Sequence, residues 1–524
     1  MSPRSRARHA ARPRIPFGAI AVALILAAGG VVAWRIQDGR AGRTLAGGTI
    51  SPRPTLSVAS GPALTPTPSV EPSPPPVPSP EPINTAYRGI STFRGNATRT
   101  YYGVGPVPRK PTVIWGYPVS GSLCSTSSDQ HGERLWCGTG WTGQPNVIAR
   151  DGRIEVRVGA YDGSYHFLDG RTGEPVRPDL VTGDLAKGSA TSDPDGYPLY
   201  YAGSRDNLFR VVALDRAEPT VLWSVNADTS VPGPLWNDDW DGAALVIGDY
   251  LLEGSENSWL YVIRLHRRHG TDGLVTVAPK IVATIPGFDD RLLAELPDTD
   301  VSIESSVAYA DGVVYFANSG GLVQGWDISD LLDGGTRYRR VFRFWTGDDT
   351  DASVVIDDEG SLYVGSEYQR FNSRGKEVGQ LMKLDPRRPD DPLVWSVHVE
   401  DLGFEGAGGT WSTPALYDGN VFEAFADGQV MAVDADSGEI VWQTRIGVPS
   451  IASPVVVDGV LIQGDCTGAL HAWDVSHLRR VRPLWTMDLG ACVESTPAVW
   501  HGWIYVGTRA GQILGIANPG KLPA

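Results

Sequence analysis

Cysteine is scarce in this chain, with four residues in 524, at positions 124, 137, 466 and 492. That excludes a disulfide-stapled small scaffold, leaves room for two bridges, and offers neither an adjacent cysteine pair nor a C-x-x-C-H for covalent haem. Nine histidines occur without the spacing of metal-ligand pairs, so a zinc centre lacks its donors. No G-x-S-x-G elbow or phosphate-binding loop is present, and the glycines read as turn residues. Charge of either sign is low, at 20% of residues, yet the balance is −15. A body that acidic repels phosphate backbones, which argues against nucleic acid as a partner.

What is abundant points to strands. Gly 62, Pro 40 and Trp 17 suit many short strands joined by tight turns around a large core. The N-terminus has its own character. Residues 1–43 hold eight arginines against Asp38 alone, so the remainder is more acidic than the total. Arg4, Arg6, Arg8, Arg12 and Arg14 precede an uncharged run from Ile15 to Trp34. The run is long enough to cross the hydrocarbon layer as a helix, and the arginines before it predict a cytoplasmic N-terminus with an exported remainder. A cleaved signal peptide ending at Val31-Val32-Ala33 is the alternative reading. The stretch 51–84, SPRPTLSVASGPALTPTPSVEPSPPPVPSPEPIN, favours extended polyproline II and reads as a stalk. The expected organisation is therefore a basic cytoplasmic tip (1–14), a transmembrane helix (15–34), a Pro-rich stalk (35–84) and an exported domain (85–524).

A repeat organises that domain. WSTPALYDGNVFEAFADGQVMAVDADSGEIVW (411–442), IASPVVVDGVLIQGDCTGALHAW (451–473) and ESTPAVWHGWIYVGTRAGQILG (494–515) share one plan. S/T-P opens an alternating run, a Gly-containing turn follows, and a second run ends in Asp and then Trp. Period-two alternation with these turns encodes four antiparallel strands, A to D, which make one propeller blade. A strands are expected near Pro145, Thr191, Gly242, Ser306, Ser353, Thr413, Ser453 and Thr496. The expected fold is all-β, an eight-bladed β-propeller of four-stranded antiparallel blades, acting as a monomer. Outer-strand tryptophans follow at 223, 345, 395, 442 and 485, while Val176 and Ile281–Val282 replace them in two blades. The last blade runs out of sequence, and Pro111-Thr112-Val113-Ile114-Trp115 is expected to complete it and close the ring.

The unit, clearest in AVDADSGEIVW (432–442), resembles the pyrroloquinoline-quinone (PQQ) type of propeller repeat. That family includes quinoprotein alcohol dehydrogenases and non-enzymatic propellers. The resemblance implies the fold. For a dehydrogenase it would also imply PQQ and calcium in the central channel, beside a vicinal cysteine pair that this sequence lacks. The leading expectation is a membrane-anchored binding or scaffold module on the extracytoplasmic side, and the alternative is a quinoprotein-like oxidoreductase.

B–C turns and D–A connections share one face of a propeller. Cys466 falls in a B–C turn and Cys492 in the next D–A connection, while Cys124 and Cys137 bracket a polar D–A segment. Cys124–Cys137 and Cys466–Cys492 are the expected bridges, as suits an exported protein. On the same face, three positions before the recurring Pro site, stand Thr142, Trp240, Glu304, Asp351, Trp411, Ile451 and Glu494. Asp239 and Asp241 flank Trp240, Trp141 lies in GTGWTGQP, and Glu253 and Glu256 sit near a B–C turn. Two readings stand: solvated turn carboxylates, or a mouth of carboxylates and indoles binding a cation, a sugar or a basic peptide. Convergent carboxylates would recruit a hard cation, for which calcium is the fitting ion. The basic run Arg264, His266, Arg267, Arg268, His269 reads as a solvated hairpin.

Overall fold

The computed structural model describes residues 80–129, 132–404 and 406–520. The basic tip, the apolar run 15–34 and nearly all of the stalk lie outside the described residues. Among the described residues no helix is long and apolar enough to cross a membrane.

Eight antiparallel sheets form the blades of a propeller. Their inner strands are Asn146–Arg150, Thr191–Ser192, Leu245–Ile247, Ala308–Ala310, Val355–Ile356, Ala415–Tyr417, Val455–Val457 and Ala498–Trp500, and blades 1 to 8 are numbered in that order. Each starts at or just after its expected position. The reason for the recurring Ser or Thr is a ring of hydrogen bonds around the axis. The backbone N–H of Ala243 donates to Ser306 Oγ, Ser306 N–H to Ser353 Oγ, Ser353 N–H to Thr413 Oγ1, and Thr413 N–H to Ser453 Oγ, all at 2.8–3.0 Å. Gln144 N–H donates likewise to Ser189 Oγ. Each hydroxyl thereby satisfies a buried donor of another blade, which would otherwise be costly to leave unpaired.

The outer tryptophans lock blades at the rim. Trp395 of blade 5 donates its indole N–H to Ala435 O of blade 6 at 3.0 Å and covers Gly438, where a Cβ would lie 2.6 Å from the ring. Gly438 also has φ +76°, so only glycine suits both the turn and the close approach. Trp115 of the closing strand repeats the arrangement on Gly170 and Gly173 of blade 1. Thr112–Tyr117 pairs antiparallel with Gln512–Ala517, completing blade 8 as expected. In blade 1 the outer ladder is Leu180–Val181 rather than Val176, whose N–H only donates to Phe167 O.

Inner strands present unpaired backbone to the channel, and residues 88–104 occupy it. Arg88–Ile90 pairs with blade 1, and Gly103–Val104 runs parallel to Ala498–Trp500 of blade 8. Between them the segment meets the remaining blades: Ser91 O accepts from Ser192 N–H, Thr92 Oγ1 donates to Ala244 O, Ala97 O and Thr98 O accept from Tyr309 and Ile356, and Tyr102 Oη accepts from Leu416. Arg94 is fully buried and donates to Thr413 O, Pro414 O and Pro454 O, joining blades 6 and 7. Arg99, equally buried, reaches Ala243 O and Val307 O of blades 3 and 4. A guanidinium supplies the fan of donors that such convergent carbonyls require.

Both expected disulfides are formed, Cys124–Cys137 and Cys466–Cys492. The first ties a hairpin of Cys124–Asp129 with Gly132–Cys137. The basic run is an exposed hairpin at His266, Arg268 and His269, as expected, and departs from expectation at Arg267. Arg267 is 5% exposed and pairs with Asp193 at 2.7 Å, Asp195 at 2.8 Å and Asp249 at 3.4 Å, so it stitches loops of blades 2 and 3 rather than facing water.

Candidate functional site

The hydrogen-bond ring fixes the register at the channel mouth. Two residues before each ring position stand Thr142, Lys187, Asp241, Glu304, Asp351, Trp411 and Ile451, and Glu494 holds the same place before Thr496, whose N–H donates to Gly143 O. Blade 3 therefore contributes Asp241, not Trp240. Trp240 is buried between Phe209 and Tyr261, at ring distances of 5.4 and 4.9 Å, and donates to Asn207 O. Trp411 is buried against Phe404 and Ile451, with Trp141 half-buried at the edge of that cluster. Glu494 pairs with Arg509 at 3.4 Å. Trp141, Glu304 and Asp351 meet around one small axial cavity of about 10 Å³, which Phe93 of the axial segment also lines.

The mouth carboxylates are buried, not solvated. In blade 3, Asp239, Asp241 and Glu256 offer oxygens within 4.8 Å of one another. The Lys187 ammonium sits among them, 3.1 Å from Asp239, 2.6 Å from Asp241 and 2.7 Å from Glu256, and Arg205 adds a contact to Asp239 at 3.1 Å. Burial opposes the Lys187 charge, but Asp241, Glu256 and Asp239 outweigh it and hold its pKa well above the ordinary lysine value. Burial and the neighbouring acids still raise the two aspartates, Asp239 to about 7 and Asp241 well above the usual carboxylate range.

Blade 5 repeats the arrangement. Asp349-Thr350-Asp351 matches Asp239-Trp240-Asp241 before the inner strand, and Gly365-Ser366-Glu367 matches Gly254-Ser255-Glu256 after the second strand. Asp349, Asp351 and Glu367 again lie within 4.8 Å of one another and are buried. Ser319 Oγ donates to Asp351 at 2.9 Å, Gln369 Nε2 donates to Asp349, and Arg370 reaches Asp349 at 3.6 Å. Burial first, then mutual repulsion, pushes all three carboxyls well above the usual range. Lys187, Asp349 and Glu367 are the residues that reading the mouth from its S/T-P register overlooks. The repeated D-x-D and G-S-E pairs are the signal that would have found the last two.

The channel does not fit PQQ. Small-molecule pockets span about 300–1,000 Å³, and the axial cavity, at about 10 Å³, is far smaller, with Phe93 on its wall and Arg94 and Arg99 of the same axial segment fully buried.

A family model described as outer membrane protein assembly factor BamB, of PQQ type, matches residues 377–516. The chain is 31% identical over 145 residues to the outer membrane protein assembly factor BamB of Burkholderia pseudomallei, covering 25% of this chain and 35% of that one. It is 30% identical over 149 residues to the factor of that name from Moranella endobia, covering 26% and 36%. The matches thus span about a third of those relatives. Among solved structures, a europium-containing methanol dehydrogenase superposes with TM-score 0.54 at 12% identity, over 82% of this chain and 98% of that one. The quinohemoprotein alcohol dehydrogenase of Comamonas testosteroni does so with TM-score 0.52 at 11% identity, over 83% and 82%. Those likenesses concern the fold, and the repeats matched over residues 377–516 make the chain similar in that segment to propellers of the PQQ-type repeat.

Proposed function

We propose that this protein is a membrane-tethered, extracytoplasmic scaffold that docks a protein partner on the face formed by its B–C turns and D–A connections. The carrying observation is an asymmetry of exposed apolar side chains. Outside the outer strands and their flanks, Val119, Leu135, Trp236, Phe371, Leu402 and Val448 are exposed, and all six belong to B–C or D–A segments. Trp236 is 46%, Phe371 51% and Leu402 57% exposed. In the C–D connections of the opposite face, among the described residues, Val176 and Tyr338 are comparable. Exposed large apolar groups gathered on one face mark an interaction surface, and aromatic anchors dominate such interfaces. Relatives named as outer-membrane protein assembly factors support a protein partner. The run 15–34 supplies the tether and the Pro-rich stretch a spacer.

Photocrosslinking in intact membranes tests this reading. A benzophenone side chain at Phe371 or Leu402 of the full chain is expected to give one discrete protein adduct, and the same group at Tyr338 none. Identical adduct patterns from both faces, or none from the loop-rich face, would overturn it.

A further inference from the structure

Among the described residues, Glu367 is the buried carboxylate with neither oxygen partnered by the protein. It is 1% exposed, and neither carboxylate oxygen has a hydrogen-bond donor or ion pair. Asp349 Oδ1 is buried and unpartnered as well. Burying a carboxylate without compensation is among the more expensive acts in folding. In blade 3 the equivalent three carboxylates surround the Lys187 ammonium. The ring position that Lys187 holds in blade 2 is held by Glu304 in blade 4, so the blade 5 triad meets another acid where blade 3 meets a base. Arg370 does not fill the gap, since it reaches Asp349 but forms no ion pair with Asp351 or Glu367.

We infer that Asp349, Asp351 and Glu367 bind a calcium ion at the entrance of blade 5. The three ligand oxygens lie within 4.8 Å of one another, close enough for one ion to touch all three at Ca–O distances of about 2.4 Å. Magnesium keeps several waters and takes only one or two carboxylates, whereas a cage of three protein carboxylates suits calcium. All-oxygen carboxylate donors exclude the softer transition metals as the preferred occupant. The ligands come from one blade and need no cofactor to complete the set. Asp349 and Asp351 precede the inner strand, while Glu367 begins the B–C segment that carries Phe371. A cation there would tie both segments at one point. The site stands or falls independently of the partner-docking proposal, because its readout is the ion itself.

Isothermal titration of the EDTA-treated full chain with calcium chloride decides the matter, alongside melting curves in EDTA and in millimolar calcium. The wild-type chain is expected to bind one ion and to melt higher as the logarithm of calcium concentration rises. Glu367→Gln and Asp351→Asn each remove one negative charge from the ligand set and should weaken calcium roughly tenfold or more. The absence of both binding heat and a melting shift in the wild-type chain would overturn the inference. So would Glu367→Gln binding calcium as tightly as wild type. If either variant fails to fold, the wild-type titration alone still supports or refutes the site.

Discussion

Blades 3 and 5 place the same carboxylates at the same two points, yet one set is closed by the protein and the other is not. Asp239, Asp241 and Glu256 enclose Lys187, which enters from blade 2. Asp349, Asp351 and Glu367 face Glu304, which enters from blade 4, and Coulomb repulsion between Glu304 and Asp351 adds to burial in raising the Glu304 pKa. The difference teaches that a carboxylate triad in a propeller mouth is not a site until its neighbour is known. Where a blade supplies an ammonium, the triad is a structural joint between blades. Where it supplies another acid, the charge must be met from outside.

The largest effect should come from removing what both triads rest on. Deleting residues 85–118 takes away the axial segment that hydrogen-bonds to every blade and the outer strand of blade 8. Arg94 and Arg99 would leave inner-strand carbonyls unsatisfied, and blade 8 would expose an edge. We expect no cooperative melting and aggregation on size exclusion. Wild-type melting of the truncated chain would mean that the mouth is held by the blades alone.

A smaller effect sharpens the comparison with a third case, a cation that titrates. His166 in blade 1 is buried 3.2 Å from Asp162 and 3.1 Å from Asp179, the latter off the line of a hydrogen bond, with the Tyr117 ring 5.2 Å away. Burial disfavours its charge, but the two aspartates prevail and raise its pKa to about 9. A raised pKa means that the stabilisation is complete below the ordinary histidine value and is lost as pH rises through about 9. His166→Gln should therefore cost about 2–3 kcal/mol near pH 6 and much less near pH 10, measured by urea denaturation. An equal cost at both pH values would assign the residue to packing rather than charge.

Much of the fold was legible in the sequence because period-two alternation recurs along the chain and S/T-P openings mark the last three blades clearly enough to find weaker copies upstream. The closing strand was legible for the same reason, since blade 8 lacked a fourth strand and Pro111–Trp115 supplied one. The axial segment was not, because its backbone is irregular and its order comes from edges hundreds of residues away, as Arg94 meeting Pro454 shows. At the mouth, the carboxylates could be picked out by position, but the expected ring residue of blade 3 fell one place early, on Trp240. Whether a carboxylate is paired depends on which residue the preceding blade presents. Lys187 opposite Asp241 is a contact across 54 positions that local pattern does not encode.

The most direct measurement exchanges the two neighbours and counts ions. Native mass spectrometry on the full chain in calcium should find one ion on the wild type. Glu304→Lys supplies blade 5 with the base that blade 3 already has, and should carry none. Lys187→Met empties the blade 3 triad and should carry two, with stability in EDTA lowered by about 3–5 kcal/mol and partly restored by calcium. Equal counts on all three proteins, or a wild type without calcium, would contradict the account.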